Sequence, residues 1–335
     1  MSLIFMDGYD HYATADITKK WTSLFGAVSI GATSGRRGGG AMSVPGTSHA
    51  IKTLPPSASF VVGSAVNFSA LASQVIFTLL DAGNVQCDLR LNLDGTLSVT
   101  RNGTALSGGT STSALTTGNF YFIEFKVTIA DSISANSCKV RVNGVDWITV
   151  ATGQDTKSTA NASANQIRLG AVGNNNAMTF DDLYVCDQSG SSNNNFLGDV
   201  RIDTLYPTSD GANAAWATSS GSTHYTLVDD ATPNTTDYVE SSTVTQKDTY
   251  GFSDISHTPV NIFGVQLSIA ALKDDAGDRL VKAVTRSAGT DYSGTAQALG
   301  TSQLYYSEIR ETDPATSAAW TKTNLNAAEF GVECA

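Results

Sequence analysis

Three glycine-containing dipeptides, set between stretches of alternating apolar and polar residues, constrain the fold of this chain most strongly. Asp94-Gly95 follows a run in which Leu89, Leu91 and Leu93 alternate with polar residues, and Asn102-Gly103 and Asn143-Gly144 stand in similar settings. Asp-Gly and Asn-Gly favour β-hairpins because both central residues of a type I′ turn need positive φ. The alternation places apolar side chains on one face of each strand. The chain is therefore predicted to be built from antiparallel hairpins.

Strand-like runs recur along the whole chain and fall into two groups separated by a stretch rich in Ser, Gly and Asn near residue 192. The runs before this stretch are 87–106, 120–129, 138–150, 166–172 and 180–187. The runs after it are 199–207, 224–230, 261–272, 279–287, 303–311 and 327–335. Many short strands separated by turn residues are typical of sandwiches and jelly rolls. The prediction is an all-β chain of two antiparallel β-sandwich (jelly-roll) domains in tandem, residues 1–190 and 191–335.

Helical periodicity is scarce. Apolar residues at Ile17, Trp21, Leu24 and Phe25 follow the i, i+4, i+7, i+8 spacing, so a short helix is predicted within 13–25. A second, shorter candidate lies at 325–328.

Composition excludes several classes of partner. The chain has 31 acidic and 20 basic residues and a net charge of −11, whereas nucleic-acid backbones are bound by clustered Lys and Arg. We therefore expect no nucleic-acid partner. No run approaches the roughly 18 apolar residues that a membrane helix needs, and no signal peptide opens the chain, so we expect neither membrane insertion nor secretion. Four widely spaced cysteines, Cys87, Cys138, Cys186 and Cys334, are predicted to be buried free thiols.

Four segments resemble structural proteins of tailed-bacteriophage virions: MDGYDHY (6–12), FDDLYV (180–185), FLGDVRIDTLYPTSDG (196–211) and WTKTNLNAAEFGVE (320–333). The hairpins within 91–106 and 139–150 are similar to those of a concanavalin A-like (laminin-G-type) jelly roll. This resemblance implies that the N-terminal domain has that fold, with Phe5-Met6-Asp7 paired beside Phe180-Asp181-Asp182.

The same resemblance implies a function as a virion structural protein, assembled in the host cytoplasm with copies of itself and with other virion proteins. Its expected position is the tail tip or a tail fibre, where it contacts a host-surface glycan. The alternative is a capsid decoration or head-fibre protein without receptor function.

Catalytic motifs are not apparent in the sequence. Glycoside hydrolases of concanavalin A-like fold need a carboxylic acid and a carboxylate, commonly in an E-x-D-x-x-E strand. No such match occurs, Glu124 is the only glutamate before residue 200, and the acidic residues of 308–313 are differently spaced. No G-x-S-x-G elbow is present, and the histidines His11, His49, His224 and His257 are interpreted as structural or exposed. The chain is therefore expected not to be an enzyme.

Ligand sites are predicted from aromatic residues that could stack on sugar rings, namely Trp216, Tyr225 and Trp147, although Trp147 also suits a core position. No cofactor is expected. Calcium is the one metal left open, because aspartates occur in pairs such as Asp181-Asp182. Adjacent strand residues point to opposite faces, so one pair cannot form a site alone. Asp181 and Asp182 are expected to face solvent and cap a turn.

Overall fold

The computed structural model describes residues 2–170 and 176–335 and confirms the predicted all-β class with antiparallel sheets. The chain divides into two compact units, one ending at Ile202 and the other spanning Asp203–Ala335. Residues 191–202, placed by the sequence in the second domain, belong to the first unit. Among the described residues, no helix is both long and apolar enough to span a bilayer.

The strands of the first unit are β1 (Leu3–Asp7), β2 (Ser23–Phe25), β3 (Ser29–Gly31), β4 (Ala41–Val44), β5 (His49–Ser57), β6 (Ser59–Phe68), β7 (Gln74–Asp81), β8 (Asn84–Leu91), β9 (Thr96–Arg101), β10 (Thr104–Ala114), β11 (Phe120–Thr128), β12 (Cys138–Val142), β13 (Val145–Thr149), β14 (Ala164–Leu169) and β15 (Met178–Cys186). The helical elements are a 3₁₀ turn at Thr14–Asp16 and helix α1 at Ile17–Lys20. The predicted helix within 13–25 is thus shorter than expected, because Ser23–Phe25 pairs with β5 instead.

Two sheets of the first unit face each other. Sheet A has eight strands, with the order β13-β12-β11-β6-β15-β4-β3 and with β1 also paired to β15. Sheet B has seven strands, in the order β10-β9-β8-β7-β14-β5-β2. Phe77 of sheet B and Phe180 of sheet A meet between the sheets, with ring centroids 6.2 Å apart. Both rings are fully buried, so the predicted jelly-roll sandwich is confirmed and its inner faces are identified.

The predicted hairpin turns are present. Asn102-Gly103 and Asn143-Gly144 both have two positive φ angles, as a type I′ turn requires. At Asp94-Gly95 only the glycine has positive φ, and the Gly95 amide donates to the Asn92 carbonyl. That hairpin therefore turns over four residues rather than two. The run predicted at 166–172 is a strand to Leu169; residues 171 and 172 lie outside the described part.

The N-terminal strand pairs with the last strand of the unit, but in a different register from the one that the resemblance implied. Phe5 lies opposite Val185 and Asp7 opposite Leu183. The predicted residues of β15 do not pair with β1 for two reasons. Met178–Phe180 already pairs with β4, and the β15 register shifts after Asp181, where Asp182 has a φ of 50°. The bulge therefore divides β15 between two neighbours.

The motif MDGYDHY forms a buried network rather than a surface site. The Asp7 carboxylate accepts hydrogen bonds from Lys20 Nζ at 3.0 Å, Tyr12 Oη at 2.6 Å and Trp21 Nε1 at 2.9 Å. Asp7 and Lys20 are both buried. Buried charges are tolerated when they are paired and hydrogen-bonded in this way. The network therefore anchors β1 to helix α1.

The strands of the second unit are β16 (Pro207–Ala214), β17 (Ala217–Thr218), β18 (Val239–Glu240), β19 (Lys247–Phe252), β20 (Val265–Ala271), β21 (Leu280–Ser287), β22 (Thr290–Ser293), β23 (Gln297–Ala298), β24 (Leu304–Arg310) and β25 (Glu329–Cys334). Sheet C has the order β16-β19-β25-β21-β22, with β23 also paired to β21, and β17-β18 and β20-β24 are separate pairs. A 3₁₀ turn at Tyr225–Leu227 and helix α2 (Lys322–Asn326) complete the unit. Trp320 and Phe330 lie in its apolar core.

Two strands predicted in the second half are absent at those positions. The described residues 199–206 contain no strand, and 224–230 contains the 3₁₀ turn instead. The alternation of apolar and polar residues was not enough to predict these strands, because a strand also needs a neighbouring strand that pairs with its backbone. The four later predicted strands correspond to β20, β21, β24 and β25.

Candidate functional site

The outer face of sheet B carries a line of polar side chains that crosses four strands. Arg168 of β14 lies opposite Thr78 of β7, Thr78 lies opposite Asp88 of β8, and Asp88 lies opposite Thr100 of β9. We call these four residues the polar row. Their neighbours Phe77 and Leu89 point to the core, so the two-residue period of a strand directs the row outward. Arg90 lies on the same face, two residues beyond Asp88.

The polar row is recessed, although it lies on an outer face. Asp88 is only 6% exposed and Thr100 only 3%. Arg168 Nη2 donates to Thr78 Oγ1 at 3.0 Å, which fixes both side chains. Asp88 Oδ1, Thr100 Oγ1 and Arg168 Nε are nevertheless buried without a hydrogen-bond partner among the described residues. Buried polar atoms are normally satisfied, and each exception has an explanation such as bound water, an ion or a functional role.

Aromatic rings extend this face toward the sheet edge. Phe25 of β2 lies opposite His49 of β5, and their rings are stacked with centroids 5.2 Å apart. Phe25 is 55% exposed. His49 Nδ1, like Arg90 Nε, lacks a hydrogen-bond partner within the described part of the chain. Five strand spacings of about 4.8 Å separate β2 from β9, so the face measures about 24 Å across.

Burial and charge set the protonation of this face. Burial raises the pKa of Asp88, while the Thr78 hydroxyl and the Arg168 and Arg90 charges act in the opposite direction. Burial and the charge of Arg168 lower the pKa of His49 below 6.5, so its imidazole is neutral at neutral pH. The face therefore offers neutral and anionic acceptors beside two guanidinium donors.

The outer face of sheet A differs because the segment 195–202 covers it. Arg36 donates from Nε to Asp182 Oδ2 at 2.7 Å and also bonds to Asp199 and to the Val200 carbonyl. Arg141 stacks on the Phe196 ring, 4.4 Å from its centroid. The cations of this face are thus paired with the covering segment or its neighbours.

Glu124 lies beneath the same segment. Its Oε1 accepts from Tyr184 Oη at 2.5 Å and from the Gly198 amide at 2.8 Å. Burial raises the pKa of Glu124, while these two hydrogen bonds act to lower it. Its Oε2 has no partner among the described residues and is the exception on this face. Gly63 makes room for the Tyr184 ring, since a Cβ there would lie 2.1 Å from Tyr184 Cε1.

The prediction that Asp181 and Asp182 face solvent is wrong. Both are buried, because the β15 bulge turns them toward Arg36. Asp181 accepts hydrogen bonds from the amides of Arg36 and Asp182. Burial and the neighbouring Asp182 carboxylate raise the pKa of Asp181 to about 7. Within residues 2–170 and 176–335, no three His, Cys, Asp or Glu side chains are placed to hold a metal ion, so no calcium site is assigned.

The three aromatic residues predicted to bind a ligand do not lie on the sheet B face. Trp147 is half-buried on β13 of sheet A. Trp216 and Tyr225 belong to the second unit and are also half-buried. Trp216 Nε1 donates to the Gln246 carbonyl at 3.0 Å, and the Tyr225 amide donates to Asp210 at 2.7 Å. Their role in ligand binding stays a prediction.

The residues of the sheet B face were missed for an identifiable reason. In the sequence, Arg90 lies between Leu89 and Leu91 and indicates only that polar and apolar residues alternate. Its proximity to Arg168 depends on the order of β14, β7 and β8 in the sheet. Of the strand pairs in this part of sheet B, the sequence predicted the β8–β9 pair, because the turn residues lie within that hairpin. His49 and Phe25 meet because β2 pairs with β5, whereas the sequence predicted a helix at Phe25.

Comparisons with known proteins give a fold likeness only. No family model and no curated protein matches the chain. Among solved structures, a sialidase has 12% identity and a TM-score of 0.41, over 55% of this chain and 18% of its own. Cellulose-induced protein Cip1 has 16% identity and a TM-score of 0.39, over 50% of this chain and 91% of its own. Alginate lyase Aly36B has 10% identity and a TM-score of 0.38, over 55% of this chain and 97% of its own.

The expectation that the chain is not an enzyme is corrected. The solved structures that resemble it include sialidases and alginate lyases, so absence of activity does not follow from the sequence. The expectation failed because it rested on the absence of two sequence motifs, E-x-D-x-x-E and G-x-S-x-G, and each motif represents one arrangement of residues that are close in sequence. Groups on the sheet B face come together from separate strands and leave no linear motif. Likeness at this level assigns no reaction to the chain.

Proposed function

We propose that this chain is a structural protein of a tailed-phage virion, and that the outer face of sheet B contacts a host-surface glycan. It would assemble with copies of itself and with other virion proteins at the tail tip or in a tail fibre. The virion assignment depends on the sequence resemblance of segments such as MDGYDHY. The glycan contact depends on one structural observation, the polar row with its unpartnered buried atoms.

The chemistry of the polar row suits sugar hydroxyls. A hydroxyl has the donor and the acceptor that Asp88 Oδ1 and Arg168 Nε lack within the described residues. Both atoms are buried, so such a contact would require the side chains that cover them to move. An unsatisfied buried donor or acceptor costs about 1–3 kcal/mol, so a ligand that completes these bonds gains from doing so. The exposed ring of Phe25 adds an apolar surface against which a sugar ring can pack.

The glycan contact is tested with the purified full chain on a glycan array. Arg168→Met removes one donor of the polar row, and Arg141→Met removes a guanidinium from sheet A as a matched control. We expect wild type and Arg141→Met to bind the same glycans, and Arg168→Met to lose at least tenfold in affinity. Binding by all three proteins alike, or by none, would refute the glycan contact at this face. Release of shortened products from bound glycans would add catalysis to it.

The virion position is tested by immunogold labelling of intact particles with an antibody against this chain. Gold at the tail end supports host contact. Gold spread over the head supports the alternative, a capsid decoration or head-fibre protein without receptor function. Exposed apolar residues of the second unit favour extensive subunit contacts in either position. Val260, for example, is 96% exposed and Val244 is 60% exposed.

A further inference from the structure

The sheet B face has a charge balance opposite to that of the whole protein. The chain carries a net charge of −11. The polar row contains one arginine, Arg168, and one carboxylate, Asp88. Arg90, on the same face, adds a second positive charge. A locally cationic face on an anionic protein favours an anionic ligand at that face.

Each arginine keeps hydrogen-bonding capacity for such a ligand. Arg168 uses Nη2 to bind Thr78, and neither arginine forms a salt bridge with a described residue. Both side chains are half-buried, and their Nε atoms are buried without a partner among the described residues, so a ligand that arrives from solvent would first meet the other guanidinium nitrogens. The planar guanidinium presents its N–H groups as a fork that matches two carboxylate oxygens. Thr78 is itself fully buried, so the Arg168 fork is held in place before a ligand arrives.

The spacing of the two arginines suits a polymer. Arg168 and Arg90 stand on strands separated by β7, and Arg90 is two residues beyond Asp88, so their Cα atoms are about 12 Å apart. Asp88 lies between them and attracts both. Its Oδ1 and the hydroxyl of Thr100, on the next strand, are buried without a partner among the described residues, and they offer an acceptor and a hydroxyl for sugar hydroxyls beside the charged groups. The stacked Phe25 and His49 rings continue the same face toward β2.

We propose that the outer face of sheet B binds a glycan whose sugars carry carboxylate groups, with Arg168 and Arg90 each holding one carboxylate. This inference rests on the proposed glycan contact and specifies its ligand class. A carboxylated polysaccharide satisfies both guanidinium forks and the Asp88 and Thr100 atoms along one extended chain. A neutral glycan offers the two guanidinium groups no anion in addition to Asp88.

The test uses the full chain and a matched pair of polymers, polygalacturonate and its methyl-esterified form, which share a backbone and differ in charge. Hyaluronate and polysialate extend the carboxylated set. Binding is measured by calorimetry at low and high salt. We expect at least tenfold tighter binding of one or more carboxylated polymers than of the esterified control, weakened by salt. Arg168→Met and Arg90→Met should each cost at least tenfold, while Arg141→Met should retain wild-type affinity. Thermal melting checks that the variants are folded.

The outcomes separate this inference from the function on which it rests. Equal affinity for polygalacturonate and its methyl ester, or array binding to neutral glycans alone, would overturn the carboxylate assignment and leave the glycan contact standing. Failure to bind any glycan, charged or neutral, would overturn both. Carboxylate-dependent binding that survives both arginine substitutions would also overturn the assignment, since the charge would then be recognised elsewhere.

Discussion

The outer faces of sheets A and B are both formed by antiparallel strands, yet their arginines differ in the partners that they contact. On sheet A, Arg36 and Arg141 contact the segment 195–202. On sheet B, Arg168 and Arg90 keep buried nitrogens without a partner in the described part of the chain. A charge that is already paired stabilises the fold, whereas an unfilled hydrogen-bonding site is available for a ligand. Under the proposed function, sheet A is the structural face and sheet B the binding face, although Glu124 Oε2 on sheet A is also buried without a partner among the described residues.

The largest expected effect concerns stability. Arg36→Met should lower the free energy of unfolding by about 3 kcal/mol, because it leaves the buried Asp182 carboxylate without its cation. Arg168→Met is the matched substitution on sheet B, and we expect a smaller loss of about 1 kcal/mol, because it removes the hydrogen bond to Thr78 while the buried Asp88 keeps the Thr78 hydroxyl and the Arg90 charge as partners. Chemical denaturation of both variants checks the difference. Equal losses would break the contrast between the faces.

Gly63→Ala should destabilise the first unit by about 1–3 kcal/mol, as overpacking does. The new Cβ would lie 2.1 Å from Tyr184 Cε1, forcing away the ring whose hydroxyl binds Glu124. Thermal melting is the measurement. An unchanged melting temperature would mean that Tyr184 and the covering segment are not held as described.

Phe25→Ala should weaken glycan binding about tenfold, the size of effect seen when a contact aromatic is truncated, with little change in stability because the ring is 55% exposed. Val145→Ala is the control, since Val145 is 61% exposed and lies on β13 of sheet A. Calorimetric affinities of the two variants sharpen the boundary of the binding face. An equal effect of both substitutions would place the contact elsewhere.

The last prediction is a pH dependence of stability that originates on sheet A. The pKa of Asp181 is about 7 in the folded state and near 3.8 when unfolded, so the folded state binds more protons between these values. Its contribution to stability is present at low pH and is lost as pH rises from about 4 to 7. Melting temperatures of wild type and Asp181→Asn at pH 5 and pH 8 isolate it. The wild type should lose more stability on going to pH 8; parallel shifts would contradict the assignment.

The contrast between the faces also explains what the sequence could predict. Hairpins at Asn102-Gly103 and Asn143-Gly144 depend on turn residues within the hairpin itself, and both were predicted. The β1–β15 register depended on a bulge at Asp182 and on competition from β4, neither of which is local. The polar row joins Arg168 to Asp88 across an intervening strand, so only the strand order brings them together. Residues 199–206 alternate like a strand yet do not form one.

Hydrogen exchange of the full chain, with and without the oligosaccharide that gives the strongest array signal, tests the central claim most directly. Binding at the polar row predicts slower exchange in β7, β8 and β14, with β6 and β11 of sheet A unchanged. Slower exchange confined to sheet A or to the second unit would contradict the account and place the ligand on another surface.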